Sequence, residues 1–496
     1  MCGRLRDDAR GLLFDLKVQQ AKSRRKPNLL VFLPDQQRAD TIKSYGGRVH
    51  TPNLDQLAAQ SAVFQQAYVT QPICTPSRSS LMTGTWPHAN GCTRNFLILD
   101  PHWRCLPELI ADADYRSGYI GKWHLGNEMF AQHGFEEWVS VENDPRYQKL
   151  VSPGRDHAVV SEYSKFLFAR GLKPRAGRDY FDNWFATYLP IELSKSKFLE
   201  GKACEFLENY KSEPFVLFVA FFEPHSPYNG PLNEEHQLDE VDVDPTAGDV
   251  FGPDMPLRYR LRQESDRKRY GDPPEKYREA KRNYFGLVSL VDRSVGAVLA
   301  KLETLGLVDN TIVIHTSDHG DMMTAHGLMR KEVLFQEAVR VPYLVRLPGQ
   351  RSGFSIPQPV SHIDFAPTVL DLLGKGLHEQ CVGRSRAPLV RGESMAPETI
   401  FLQWTPGKTP KVAKGTKLAS SAQIERALGE STRAAITPEG WKLCLRDKDK
   451  NELYNLRSDP HEQHNLFSAS EQKDVVSRLG AEIRRWQKHA GDSVEV

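Results

Sequence analysis

Residues 28–38 read Asn28-Leu-Leu-Val-Phe-Leu-Pro-Asp-Gln-Gln-Arg38. Leu29 to Leu33 form an unbroken apolar run, and Pro34 closes it because it has no N–H for a strand ladder. A short continuous run of this kind reads as a strand covered on both faces, the habit of parallel sheets. Asp35 and Gln36 follow at once. They fall at the carboxyl end of that strand, where open α/β sheets place their ligands.

The same pattern returns along the chain. Apolar runs occur at Ala62-Val-Phe, Tyr119-Ile-Gly, Phe215–Phe222, Thr311–Thr316 and Val341–Val345. Helical patterns separate them. One starts at Thr51-Pro52 with Leu54, Leu57 and Ala58 on one face, another starts at Ser77 after Pro76, and two more cover Tyr284–Leu305 and Asp364–Leu373. Strands alternating with helices predict an α/β fold: a large mixed, mostly parallel central sheet flanked by helices. After Gly374 the pattern changes to loops rich in Pro and Lys and short runs such as Trp441–Leu445 and Glu452–Leu456. This reading divides the chain into a loosely held leader (1–26), a main domain (27–384) and a smaller C-terminal α+β subdomain (385–496). Two stretches, 141–200 and 231–282, look like excursions from the core. The second ends in a dense charge run, Arg258–Arg282, read as a solvated helix or loop, with a lid or a subunit contact in a homo-oligomer as the alternative.

The 496 residues are 40% apolar and 26% charged, which excludes collagen, a coiled coil and wholesale disorder. Lys plus Arg is 65 and Asp plus Glu is 63, a net charge of +2, so no global field draws nucleic acid or an anionic membrane. No run reaches the ~20 apolar residues of a membrane helix. The seven cysteines are odd in number and include no CxxC pair, so neither a disulfide framework nor a zinc ribbon is expected. The apolar patch Gly11–Leu16 is interrupted by Asp15 and is too short for a signal peptide, which sets a cytoplasmic expectation.

Six short motifs carry chemistry. Cys74-Thr-Pro-Ser-Arg78 places a cysteine just before an expected helix N-terminus with an arginine four residues on. Both would favour negative charge at Cys74. Pro34–Arg38 and Ser317-Asp-His-Gly320 each put a carboxylate directly after a core strand. Asp35 and Asp318 can therefore meet at one hard-cation site, with amide oxygen and imidazole as further donors. Gly121-Lys-Trp-His124, Glu223-Pro-His-Ser-Pro227 and Ala325-His-Gly-Leu-Met-Arg-Lys331 each place Lys or His in a loop after an apolar run. Cations converging beside a metal make a pocket for a tetrahedral oxyanion.

In order and content these motifs resemble the type I sulfatases of the alkaline phosphatase superfamily, over residues 27–470. Leu453-Tyr-Asn-Leu-Arg-Ser-Asp-Pro-His-Glu-Gln-His-Asn-Leu466 is similar to that family's C-terminal signature. The resemblance implies that Cys74 is oxidised to Cα-formylglycine by a formylglycine-generating enzyme, and that its hydrate is the nucleophile. It implies Asp35, Gln36, Asp318 and His319 as metal ligands together with the residue at position 74. Arg78 would hold the hydrate, and Lys122 and His124 would hydrogen-bond it, His124 as a candidate base. His225 and Lys331 would lie on the sulfate and leaving-group side. His326 is taken as pocket lining.

Two departures bear on this. Many family members have Asp where this chain has Gln36, and Asn where it has His319. The Asp/Gln/Asp/His set resembles the branch that holds phosphonate monoester hydrolases and numerous bacterial sulfatases. Calcium is the first choice of metal, with Mg²⁺ and Mn²⁺ as alternatives. The expected activity is release of sulfate from an organic sulfate ester, a sulfated saccharide in particular, with Trp123, Tyr228 and Trp404 as candidates to frame a sugar, core packing being the first reading of Trp404. The alternatives are hydrolysis of phosphonate monoesters or phosphodiesters at the same site, and a non-catalytic sulfoglycan-binding protein.

Overall fold

The computed structural model describes residues 25–142, 159–271, 275–407 and 412–496. Most of the expected leader lies outside the described residues.

Nine strands form the main sheet: β1 Asn28–Phe32, β2 Ala62–Tyr68, β3 Arg116–Gly121, β4 Glu137–Val139, β5 Phe215–Ala220, β6 Thr311–Thr316, β7 Arg340–Val341, β8 Tyr343–Arg346 and β9 Phe354–Ser361. Their order is β4-β3-β5-β1-β6-β8-β2-β7, with β9 added on β2. From β4 through β6 every pairing is parallel, whereas β6–β8, β8–β2 and β2–β7 are antiparallel. The sheet is thus mixed and mostly parallel.

Side chains alternate between its faces, as a period of two requires. Leu29, Val31 and Leu33 share one core with Val216, Phe218, Ile312 and Ile314, under Leu81, Met82 and Phe365. Leu30 and Phe32 share the other with Leu217, Val219 and Val313, under Leu57, Phe198, Leu199, Val291 and Val295. The helices Cys74–Thr83 and Phe365–Leu372 cover the first face. Pro52–Ala59, Lys195–Asn209 and Glu275–Thr304 cover the second. Both faces are dry, which is why β1 carries no polar alternation. Each fully buried Leu or Phe contributes about 1.5–3 kcal/mol.

A second sheet is antiparallel, in the order β10-β11-β12-β13, built from β10 Ile400–Trp404, β11 Thr432–Ile436, β12 Trp441–Arg446 and β13 Glu452–Asn455. One face packs Leu402, Ala434, Ile436 and Cys444 against Tyr68, Val339 and Val341 of the main domain. The other packs Ala435, Leu443 and Leu453 against Leu479 and Ile483 of the helix Lys473–Ala490. This is the C-terminal α+β unit. Among the described residues no helix is long and apolar enough to cross a membrane.

Three local features depart from the apolar pattern. The run Val341–Val345 is split at Pro342 into β7 and β8, because proline cannot donate to the ladder. β9, for which the apolar pattern set no expectation, pairs with β2 despite Pro357 and Pro359. The charge run is not simply solvated. Its helix Leu257–Tyr270 buries Arg258, whose Nε donates to Glu430 at 2.6 Å and ties the excursion to the C-terminal unit.

Candidate active site

The four neighbouring parallel strands β3, β5, β1 and β6 end on the same edge, and each delivers one part of a cluster. β1 leads to Asp35 and Gln36, β6 to Asp318 and His319, β3 to Lys122, and β5 to His225. The ladder continues past β1, with Leu33 N donating to Val219 O at 2.9 Å and Asp35 N to Phe221 O at 3.1 Å. At the end of β3 the chain bends through Gly121, at φ +128°, where a Cβ would lie 1.9 Å from Ala220 O. Only glycine fits there. The bend lets Lys122 N donate to Ala220 O at 2.9 Å and turns the Lys122 side chain inward.

Cys74 is the first residue of the helix Cys74–Thr83, with Ile73 at the N-cap, rather than the residue preceding a helix that starts at Ser77. Pro76 lies inside the first turn, where a missing N–H leaves no helix bond unmade. Arg78 is one turn on, on the same face as Cys74. Around Cys74 Sγ stand Lys331 Nζ at 3.2 Å, His319 Nε2 at 3.3 Å and Lys122 Nζ at 3.9 Å.

Asp35 and Asp318 are fully buried. Asp35 Oδ2 meets Lys122 Nζ at 2.7 Å and Arg78 Nη2 at 3.4 Å. Asp318 Oδ2 accepts from Arg78 Nε at 2.7 Å, and its Oδ1 accepts from Gln36 N at 3.0 Å. Gln36, at φ +72°, sends Oε1 toward Lys331 Nζ at 2.7 Å. Among the described residues the buried Asp35 Oδ1 has no hydrogen-bond partner. Asp35, Cys74, Asp318 and His319 each offer one donor atom, all within 4.8 Å of one another. An orphaned carboxylate oxygen, a second carboxylate, an imidazole and a position-74 donor form a set that fits a divalent cation.

The electrostatics are those of an anion site with two embedded carboxylates. Burial and Asp35 push the Cys74 thiol up, but Lys122, Lys331 and His319 together hold it well below its ordinary value. Burial alone would raise Asp35. The combined field of Lys122, His225, Lys331 and His319 instead keeps it well below the usual carboxylate range. Burial lifts Asp318 despite Arg78. Burial, Lys331 and Lys122 hold His225 well below an ordinary histidine, against the pull of Asp35.

His225 Nδ1 is 2.7 Å from Ser226 O. A carbonyl only accepts, so Nδ1 carries the proton and Nε2 is left as the ring's acceptor. His124 borders the group through Thr75, whose hydroxyl donates to His124 O at 2.8 Å. His326 lies elsewhere: its buried ring stacks on Phe335, with centroids 4.2 Å apart, and Asp249 Oδ2 is 3.7 Å away. Trp123 does not frame a ligand, since it is fully buried against Tyr119, Phe135 and Trp138. Trp404 is also buried, beneath the Arg258 guanidinium at 4.6 Å. Of the three aromatics, Tyr228 alone borders a cavity beside His225.

Two residues of the site were not singled out from sequence. Glu128 is buried and takes the backbone N–H of His124 at 2.7 Å and of Trp123 at 3.1 Å, fixing the Lys122 loop. Asp321 receives Gln36 Nε2 and, at 2.5 Å, the Tyr228 hydroxyl. Asp321 follows Gly320 directly, and a third polar acidic or imidazole side chain in so short a turn was the available signal.

The comparisons with known proteins agree with this geometry. The sequence model of the Sulfatase family matches residues 27–375. An ulvan-active sulfatase of Formosa agariphila is 25% identical over 488 residues, covering 96% of this chain and 84% of that protein. An N-acetylglucosamine-6-O-sulfatase of Bacteroides thetaiotaomicron is 25% identical over 545 residues, covering 96% and 89%. Among solved structures, one in complex with its substrate D-glucosamine-2-N,6-O-disulfate superposes with a TM-score of 0.71 at 22% identity, covering 95% of this chain and 99% of the other. The phosphonate monoester hydrolase of Silicibacter pomeroyi superposes with a TM-score of 0.77 at 20% identity, covering 94% and 96%, a likeness of fold. The chain belongs to the sulfatase family of the alkaline phosphatase superfamily and is a sulfuric ester hydrolase.

Proposed function

We propose that the protein releases inorganic sulfate from a sulfated carbohydrate, with Cys74, oxidised to formylglycine, as the nucleophilic residue. One observation carries the reading. Position 74 opens a helix beside three cationic or imidazole groups, Lys122, Lys331 and His319, within 3.9 Å of its sulfur. A packing cysteine has no use for such company. The names of the ulvan-active and N-acetylglucosamine-6-O-sulfatase relatives support a sugar as the alcohol.

Asp35, Gln36, Asp318, His319 and the residue at position 74 would hold a divalent cation, calcium as first choice. When bound, it supplies Lewis-acid charge that favours deprotonation of an attacking hydroxyl. The chain's own residues do the rest. Lys122 and Lys331 donate N–H bonds to sulfuryl oxygens, and they gain most as charge builds there in the transition state. Arg78 keeps Asp35 and Asp318 oriented. The bound sulfate's negative charge favours protonation of His225, whose Nε2–H can then pass a proton to the departing alcohol oxygen. His124, held by Thr75 and Glu128, would take a proton from the residue at position 74.

Peptide mass spectrometry over Cys74, paired with sulfate release from sulfated saccharides, tests this reading. Conversion lowers the peptide mass by about 18 Da, the difference between CH₂SH and CHO. An active preparation with an intact thiol contradicts the nucleophile. A higher kcat/KM on a phenyl phosphonate ester than on any sulfate ester contradicts the substrate class.

A further inference from the structure

Beside His225 lies a cavity of about 530 Å³, lined by Tyr228 and by side chains from both excursions. That is room for one or two sugar rings. Its charged groups are unequally matched. Arg178 is neutralised by Asp182 at 2.8 Å. Arg269 and Arg330 also line the cavity, and among the described residues neither has a carboxylate within salt-bridge distance. Arg330 Nη2 donates to Tyr270 OH at 3.0 Å, and among the described residues its buried Nε has no hydrogen-bond partner. The nearby Asp266 is already engaged by Arg262 at 3.5 Å and by Met329 N at 3.1 Å. Arg262 has a second partner, Glu332, at 2.9 Å. Arg178 and Arg262 thus have carboxylate partners, while Arg269 and Arg330 line the void without one among the described residues.

Arginine forks suit planar carboxylates and sulfate oxygens. Arg330 is adjacent in sequence to Lys331, so its position is fixed relative to the reacting group. Its backbone N–H is held by Asp321 Oδ1 at 2.8 Å. Arg269 and Tyr270 come from the last turn of the helix Leu257–Tyr270, which Arg258 anchors to Glu430.

We propose that this cavity is a second anion subsite. Arg269 and Arg330 receive a carboxylate or a further sulfate on the saccharide whose scissile sulfate lies at position 74, which makes doubly anionic sulfated sugars the preferred substrates. The inference rests on the sulfate-ester reading above.

The test compares kcat/KM on three matched disaccharides: one carrying the scissile sulfate and a uronate carboxylate, its carboxyl-reduced counterpart, and the reduced counterpart with a second sulfate. An aryl sulfate serves as control for the catalytic machinery. The second anion is expected to raise kcat/KM at least tenfold, and Arg269→Gln and Arg330→Gln to shrink that ratio toward one. Whether carboxylate or sulfate gives the gain identifies the anion. Equal values for all three sugars, with the aryl sulfate hydrolysed, overturn the subsite and leave the sulfatase reading intact. Unchanged ratios in both variants overturn it as well. No sulfate release from any substrate, the aryl sulfate included, overturns both.

Discussion

Asp321 fixes which way the Gln36 amide points. Gln36 Nε2 donates to Asp321 Oδ2, and Oε1 is thereby turned inward, 2.7 Å from Lys331 Nζ. Asp321 can only accept, and its other oxygen is already taken by the N–H groups of Met323 and Arg330, each at 2.8 Å. An amide is nearly symmetric in shape, so a partner of this kind is what turns its oxygen, rather than its N–H, toward Lys331.

Asp321→Asn removes that certainty, because an amide partner accepts either orientation. Partners behind metal ligands typically carry 10–100-fold in affinity. Calcium titration of chelator-treated protein by calorimetry should therefore show weaker binding by about that factor. Unchanged affinity would show that the orientation of Gln36 is immaterial.

Arg78 holds Asp318 at 2.7 Å and Asp35 at 3.4 Å, and also donates to Lys122 O at 2.6 Å. Removing one member of a buried ion cluster strands the others, at a cost of about 3–5 kcal/mol. Arg78→Ala should lower the urea midpoint accordingly, with Arg78→Lys restoring charge but not the forked geometry. Equal midpoints for all three proteins would contradict this.

Glu128 gives a pH signature. Burial and the nearby Glu142 raise its carboxyl to about 7, even though it accepts two backbone N–H bonds. The native state therefore binds a proton between the ordinary carboxylate range and pH 7 that the unfolded chain has released. The sign follows: stability falls as pH rises through that window, by an amount on the order of 3 kcal/mol. Glu128→Gln lacks this slope. Urea midpoints of both proteins at pH 5 and pH 7.5 should converge or cross, and parallel profiles would refute the assignment.

How much of this was legible in the chain depended on what each segment buries. β1 and β6 are covered on both faces, so their apolar runs are continuous and mark strand, parallel pairing and the edge where Asp35 and Asp318 meet. Features set by backbone exceptions were harder to read. Pro76 reads as a boundary but sits within the first turn of the helix that Cys74 begins. β9 hides behind Pro357 and Pro359, which an outer strand tolerates. Side-chain partnerships outside the six motifs left no mark. Asp321 lies 285 residues from Gln36, and the pattern around Trp123 does not show that Tyr119, Phe135 and Trp138 enclose it.

The central claim is that the group around position 74 breaks a sulfate ester. The most direct measurement is release of inorganic sulfate from a sulfated saccharide by the wild-type protein and by Cys74→Ala, purified in parallel and loaded with calcium. The account predicts turnover by the wild type and a loss of about a thousandfold or more in the variant, whose remaining groups bind but have no nucleophile. Comparable sulfate release by the two proteins would contradict it.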